Sequence, residues 1–404
     1  MRLLKTDTLD FYDTDISAAP RFAILSHTWY EGEITYQDML GDRAAIKHKQ
    51  GFQKVVRFCE QAKASGYAYG WVDTCCIDKQ SSAELSETIN SMYRYYAVSA
   101  VCFIYLADVT VGAGQDVLPM MINSRWFTRG WTLQELIAPA QRQVFDVAWT
   151  PITFSPPQDD QAADSSAAAG VSMLNKALSR AAEVPPEVLQ DRGRVSAFCV
   201  AQRMSWAAKR RTTREEDMAY CLMGLFDVHM PAIYGEGGRK AFRRLQMEIM
   251  QSSFDQSLFA WRGPYPSSGL LARSPSDFRC SSNIDIWGPM FTSSFTMTNV
   301  GLSVRLAKAY NDYDDTVSQS ALVAVIQCDI YDSDAREVPA VGIYLEWVPA
   351  ATFQVNGKYV RGYRRVECSE WCPIQSLPQD ITFFDLLVLE DEHHSLVLQA
   401  GARR

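Results

Sequence analysis

The first 150 residues alternate between strand-like and helix-like segments. Four short apolar runs have the character of buried strands, and the third, residues 101–106, is continuously apolar, as expected of a strand covered on both faces. Between these runs, apolar residues recur with a period of 3.6, and Ser81 with Glu84 has the spacing of a capping box. Strands separated by helices predict an α/β domain with a parallel sheet flanked by helices. The strand-like runs are residues 22–26, 69–73, 101–106 and 143–147.

The pattern changes twice further along the chain. Residues 151–256 are predicted to form a mostly helical segment, after a polar stretch of low complexity at their start. From residue 257 the pattern favours β-structure, and residues 302–306 alternate cleanly between apolar and polar positions. We expect an antiparallel sandwich or an open barrel there. The predicted domains are therefore residues 1–150, 151–256 and 257–404.

A helix that begins after residue 130 carries the most informative pair of side chains. At 100° per residue its apolar positions fall on one face, and Trp131 and Glu135 fall together on the opposite face. An indole beside a carboxylate is typical of a ring-stacking surface with an acid next to it. The structural alternative is a Trp buried by a neighbouring element and a Glu that complements the helix dipole. The pattern alone favours that alternative.

Polar side chains follow the first two predicted strands, where ligands of open parallel sheets bind. His27 and Trp29 follow the first strand and can line a pocket, or else His27 ties the loop and Trp29 packs beneath it. Asp73 and Asp78 follow the second strand and can bind ribose hydroxyls. For Asp73 a turn-capping role is equally consistent with the pattern.

Composition and charge narrow the class of protein. A content of 47% hydrophobic and 12% aromatic residues excludes a disordered chain, and a net charge of −8 disfavours a dedicated nucleic-acid binder. No run approaches the roughly 18 apolar residues of a membrane span, and the N-terminus lacks the apolar core of a signal peptide. We therefore expect a cytoplasmic protein with reduced cysteines. Cys368 and Cys372 form a lone pair without a second pair, so no metal site is expected.

Four stretches resemble the fungal HET (heterokaryon incompatibility) domain. They read FAILSHTW from residue 22, WVDTCCIDKQ from residue 71, SETINSMY from residue 86 and RWFTRGWTLQELIAP from residue 125. Together they cover roughly residues 20–150. Residues 204–227, 234–246 and 257–261 resemble, less specifically, what commonly follows HET domains.

HET domains are in turn similar to TIR domains, several of which cleave NAD. Plant-type TIR motifs of the form Trp-Cys-Leu-x-Glu-Leu carry the catalytic Glu, and residues 131–136 match that form with Thr132 in place of Cys. The resemblance implies a TIR-like fold, and it assigns the catalytic role to Glu135. Trp131, His27, Trp29, Asp73 and Asp78 are the candidate substrate-binding residues.

The resemblance implies a protein of fungal self/non-self recognition and cell death whose first domain hydrolyses NAD to nicotinamide and ADP-ribose. NAD, or a related nucleotide, is then the substrate, and no cofactor is required. The alternative is a non-enzymatic signalling module that acts by self-association. A homo-oligomer and an incompatibility partner protein are further expected partners.

Overall fold

The structure is a computed structural model, and it describes residues 1–112, 116–154, 166–287, 294–309, 321–331, 339–355, 358–374 and 383–390. The chain forms two compact units. The first comprises Met1–Val195 and Arg210–Tyr234, and the second comprises Ser196–Lys209 and Gly235–Arg404. The predicted middle segment thus contributes residues to both units, and the division into three domains remains a prediction.

Most of the helices are short, and in the described residues four of them exceed ten residues. They are α1 Tyr36–Leu40, α2 Arg43–Ile46, α3 Gln50–Ala64, α4 Asp73–Cys76, α5 Ser82–Val98, α6 Leu118–Ile122, α7 Thr132–Ile137, α8 Ser166–Ala182, α9 Pro186–Gln190, α10 Val200–Ser205, α11 Asp217–Tyr220, α12 Met223–Phe226 and α13 Gly238–Ser252.

The strands fall into two sheets, one in each unit. They are β1 Arg2–Lys5, β2 Phe11–Asp13, β3 Phe22–His27, β4 Tyr69–Trp71, β5 Val101–Tyr105, β6 Arg142–Phe145, β7 Ser267–Ser268, β8 Ile284–Ile286, β9 Thr296–Met297, β10 Leu302–Ala309, β11 Ala321–Ile330, β12 Ala340–Val355, β13 Lys358–Val366, β14 Cys372–Ile374 and β15 Phe383–Val388.

The long helices are divided between the units. In the first unit the three that exceed ten residues are α3, α5 and α8, with 15, 17 and 17 residues, and in the second unit α13 is a fourth, with 15 residues. α3 and α5 form because their apolar residues recur at helical spacing and can be buried on one face. Ser81 caps α5 by accepting a hydrogen bond from the backbone N–H of Glu84, as predicted.

The sheet of the first unit has the order β2-β1-β4-β3-β5-β6. β4, β3, β5 and β6 are parallel neighbours, whereas β1 runs antiparallel to β2 and to β4. All six residues of β3 are buried, because neighbouring strands flank it on both sides and helices cover the sheet. The predicted parallel α/β architecture is confirmed, and the antiparallel pair β1 and β2 at one edge was not predicted. A TIR-like fold remains a prediction.

The second unit is rich in β-structure, as predicted. β10, β11, β12, β13 and β15 close into a ring, since β12 pairs with both β11 and β13 and β15 lies between β10 and β13. The expectation of purely antiparallel pairing is wrong at one place, because β13 and β15 are parallel. The ring is a barrel-like sheet around an apolar interior.

Candidate active site

A pocket of about 250 Å³ opens in the first unit beside the carboxyl end of β3. That volume lies just below the roughly 300 to 1,000 Å³ of typical small-molecule sites. Residues at the ends of β3 and β4 meet the start of α7 there, because parallel strands place their carboxyl ends on one edge of the sheet. The lining is His27, Thr28, Trp29, Asp73, Ile77, Lys79, Leu85, Ile89, Met92, Arg129, Trp131, Thr132, Glu135, Thr213, Arg214, Asp217 and Tyr234.

Glu135 lies in the buried part of this pocket, with 7% of its surface exposed. The apolar face of α7 is fully packed, with Leu133 and Leu136 at 1% and 0% exposure, and this fixes the direction in which Glu135 projects. The hydroxyl of Ser26 donates to the carboxyl of Glu135, and the indole Nε1 of Trp126 donates to the Ser26 oxygen at 2.9 Å. Two further side chains therefore hold the carboxyl in one orientation.

The pKa of the Glu135 carboxyl is raised from its ordinary 4.5 to about 8, chiefly by burial and in part by the negative charge of Asp73. Hydrogen bonds with the hydroxyls of Ser26 and Tyr96, and the charge of Arg210, act in the opposite direction but do not outweigh burial. Glu135 is therefore mostly protonated at neutral pH.

The pKa of Asp73 is shifted in the opposite direction to that of Glu135. Burial opposes its ionisation, but the hydrogen bond and charge of His27, the charge of Lys79 and a hydrogen bond from Trp29 together lower its pKa. The ring Nε2 of His27 donates to Asp73 Oδ1 at 3.0 Å, and the indole Nε1 of Trp29 donates to Oδ2 at 2.9 Å. The pocket thus holds two carboxyl groups whose pKa values are pushed apart, an arrangement typical of acid–base sites.

Two aromatic rings line the same pocket. Trp131 precedes α7, and its indole hydrogen-bonds to the carboxyl of Asp217, which also accepts from the hydroxyl of Tyr234 at 3.0 Å. Trp29 is 46% exposed, and Lys79 Nζ lies 3.5 Å from the centroid of its ring. The indole N–H of each ring therefore binds a carboxyl group, Asp217 for Trp131 and Asp73 for Trp29, and the ammonium of Lys79 lies against the face of Trp29.

The structure brings five of the six predicted site residues together. Glu135, Trp131, His27, Trp29 and Asp73 all line the pocket. Asp78 does not line it; its carboxylate accepts from the side chain of Gln37 at 3.3 Å and from the backbone of Gln80 at 3.0 Å. Catalytic and binding roles for these residues remain predictions.

Sequence reasoning did not find the second group of lining residues. Thr213, Arg214, Asp217 and Tyr234 follow Glu135 by some 80 to 100 residues, and no local pattern links them to it. Ser26 lies in the stretch FAILSHTW that resembles the HET domain. Nothing in the sequence indicates that its hydroxyl binds Glu135 and does not simply stabilise the fold. In the described part of the chain, no group of three or more His, Cys, Asp or Glu residues could hold a metal ion.

Comparison with known protein families gives matches to two parts of the chain. Residues 22–121 match the family described as Heterokaryon incompatibility protein (HET). The predicted HET resemblance is confirmed over that range, which contains β3, β4, His27, Trp29 and Asp73 and ends before Trp131. Residues 240–305 match a domain of unknown function, DUF8212.

One curated relative extends the similarity. The vegetative incompatibility protein HET-E-1 of Podospora anserina is 42% identical over 261 residues, which are 62% of this chain. The aligned region is 18% of the relative, so the chain corresponds to less than a fifth of that protein's length. No solved structure gives a significant match. No helix in the described ranges is both long and apolar enough to cross a bilayer.

Proposed function

We propose that this chain is a fungal incompatibility and cell-death protein whose α/β unit is TIR-like and hydrolyses NAD to nicotinamide and ADP-ribose. The observation that carries the proposal is the buried carboxyl of Glu135, which shares one pocket with Trp131 and with the ionised Asp73. The match of residues 22–121 to the HET family supports the biological role. The relative's name, a vegetative incompatibility protein, supports it as well.

The reaction breaks the bond between the ribose C1′ and the nicotinamide nitrogen. Nicotinamide leaves with the bonding electron pair and becomes neutral, while positive charge develops on the ribose ring as in glycoside hydrolysis. Water then adds to C1′ and releases one proton to solvent. No strong acid is required, because the leaving group departs from a cationic pyridinium.

Glu135 acts in this scheme as a carboxylate that stabilises the developing positive charge and binds ribose hydroxyls. Before substrate binds, the carboxyl is mostly neutral at pH 7 because burial raises its pKa to about 8. A bound pyridinium cation lies in the same pocket and favours the charged form, so substrate binding displaces the proton from Glu135. The negative charge is thus present when the substrate is bound.

The remaining lining residues position the substrate. Trp131 offers an indole face for the nicotinamide ring, and its edge is fixed by Asp217. His27 and Trp29 hold Asp73 with both of its oxygens engaged, so Asp73 acts mainly through its charge. The apolar side chains of Ile77, Leu85 and others exclude water from the inner wall.

Expression of the full chain in a fungal host that lacks it tests the proposal at the level of the cell. We expect growth arrest together with a fall in cellular NAD, and we expect Glu135→Gln to restore both, because the variant removes the carboxylate and keeps the shape of the side chain. Growth and NAD content are measured in the same culture.

Glu60→Gln is the matched control, since Glu60 lies in α3 with 58% of its side chain exposed. It should leave both effects unchanged. Growth arrest that persists in Glu135→Gln with normal NAD would contradict the proposal. That outcome is the one expected of a non-enzymatic module acting by self-association, with itself or with an incompatibility partner.

A further inference from the structure

Two arginines line the pocket, and each contacts an uncharged side chain there. Arg129 donates from Nη2 to the hydroxyl of Thr213 at 2.9 Å, and the guanidinium of Arg214 lies 4.1 Å from the centroid of the Tyr234 ring. Within the described ranges, neither arginine forms a salt bridge. The carboxyl of Asp217 accepts hydrogen bonds from Trp131 and Tyr234. Burial raises its pKa, and the charge of Arg214 acts in the opposite direction without outweighing burial.

The two arginines belong to segments whose backbones are bonded to each other. The N–H of Gly130 donates to the carbonyl of Arg211 at 2.9 Å, and the N–H of Arg211 donates to the carbonyl of Thr128 at 2.7 Å. These bonds join the segment that carries Arg129 to the segment that carries Arg214. The side-chain contacts with Thr213 and Tyr234 restrain both guanidinium groups, which lowers the entropy lost when they bind a ligand.

The pocket therefore has two chemically different parts. Glu135 and Trp131 suit a cationic ring and its ribose, and Arg129 with Arg214 suit an anion. Guanidinium groups bind phosphate oxygens through paired, charge-assisted hydrogen bonds.

We propose that Arg129 and Arg214 form a diphosphate clamp, which makes this pocket selective for dinucleotides over nucleosides that carry the same nicotinamide. The proposal rests on the proposed function, because it assigns the diphosphate to the reaction described above. The clamp gives residues 213–234 a role in substrate binding, whereas the other proposed site residues all lie before residue 136.

The test uses the full chain with three substrates that share the nicotinamide–ribose bond: NAD, nicotinamide mononucleotide and nicotinamide riboside. The clamp predicts that kcat/KM falls in that order. Arg129→Ala and Arg214→Ala should each lower kcat/KM for NAD by about 10- to 100-fold, mainly through KM, and leave the riboside unchanged. Arg214→Lys should fall in between, because it keeps the charge and loses the paired hydrogen bonds.

Arg57→Ala is the matched control, since it removes one positive charge from the exposed side of α3 in the same unit. It should leave all three substrates unaffected. Equal losses for NAD and the riboside in the Arg129 and Arg214 variants would overturn the clamp. Equal kcat/KM for the three substrates in the wild-type chain would overturn it as well, without affecting NAD hydrolysis itself.

A binding measurement tests the clamp independently of the hydrolysis reaction. Calorimetry should show that ADP-ribose binds the wild-type chain more tightly than adenosine does, and that Arg129→Ala and Arg214→Ala abolish the difference. This result, in a chain that releases no nicotinamide, would refute the proposed hydrolysis and support the clamp. Equal affinity for the two ligands, or no binding of either, would overturn the clamp.

Discussion

Nicotinamide release by the wild-type chain is expected to rise about tenfold per pH unit and to level off near pH 8. The reaction needs the carboxylate form of Glu135, and kcat/KM reports the pKa of the essential group in the free protein. Because burial raises that pKa to about 8, kcat/KM at pH 6 should be about one hundredth of its plateau. Initial rates at low NAD concentration across this range give the profile.

Asp73→Asn should move this profile to lower pH. The charge of Asp73 raises the pKa of Glu135, so its removal favours the carboxylate at lower pH. Asparagine keeps an oxygen that can accept from Trp29 or His27. The matched control is Asp13→Asn, which removes the same charge from a side chain that is 76% exposed. A midpoint that is the same in Asp73→Asn and in the wild-type chain would show that Asp73 does not act on Glu135.

Glu135→Gln is expected to stabilise the protein at high pH. In the unfolded chain Glu135 ionises at its ordinary pKa of 4.5, whereas in the folded chain it ionises at about 8. Between these values the folded state binds one more proton than the unfolded state, so wild-type stability falls as pH rises. The stability that the protonated carboxyl contributes is complete below pH 4.5 and lost by about pH 8.

The side chain of glutamine does not ionise in this pH range, so the stability of the variant does not fall for this reason as pH rises. The difference in unfolding free energy between Glu135→Gln and wild type should therefore grow by about 3 to 5 kcal/mol in favour of the variant from pH 4.5 to pH 8.5. Thermal and denaturant unfolding at the two pH values measure it, and titrating groups that do not interact with Glu135 cancel in the comparison. Parallel pH dependences of the two proteins would mean that Glu135 ionises normally in the folded state.

Local sequence patterns predicted the centre of the first sheet but not its edge. β3 and β5 are buried on both faces, so they stand out as continuous apolar runs. β1 and β2 have only four and three residues and mixed burial, and their antiparallel pairing depends on β4 far along the chain. The closed ring of the second unit likewise follows from pairing between distant strands, which no local pattern encodes.

The same distinction applies to the candidate site. Trp131 and Glu135 were predicted because they lie four residues apart on one helix face, where helical periodicity is informative. Asp217 and Arg214 come from a segment that reaches the pocket only through tertiary structure. The capping box at Ser81 was half correct, because the carboxylate of Glu84 accepts from Arg2 and from the backbone of Asp78 instead of completing the box.

The most direct test of the central claim is nicotinamide release from NAD by the purified full chain at pH 8. It is measured at low and at high protein concentration, beside Glu135→Gln and the control Glu60→Gln. The account predicts release by the wild type and by Glu60→Gln, and a rate about 100- to 1,000-fold lower in folded Glu135→Gln. Release only at high concentration would add self-association to the mechanism. Equal release by wild type and Glu135→Gln, or none by the wild type at either concentration, would contradict the account.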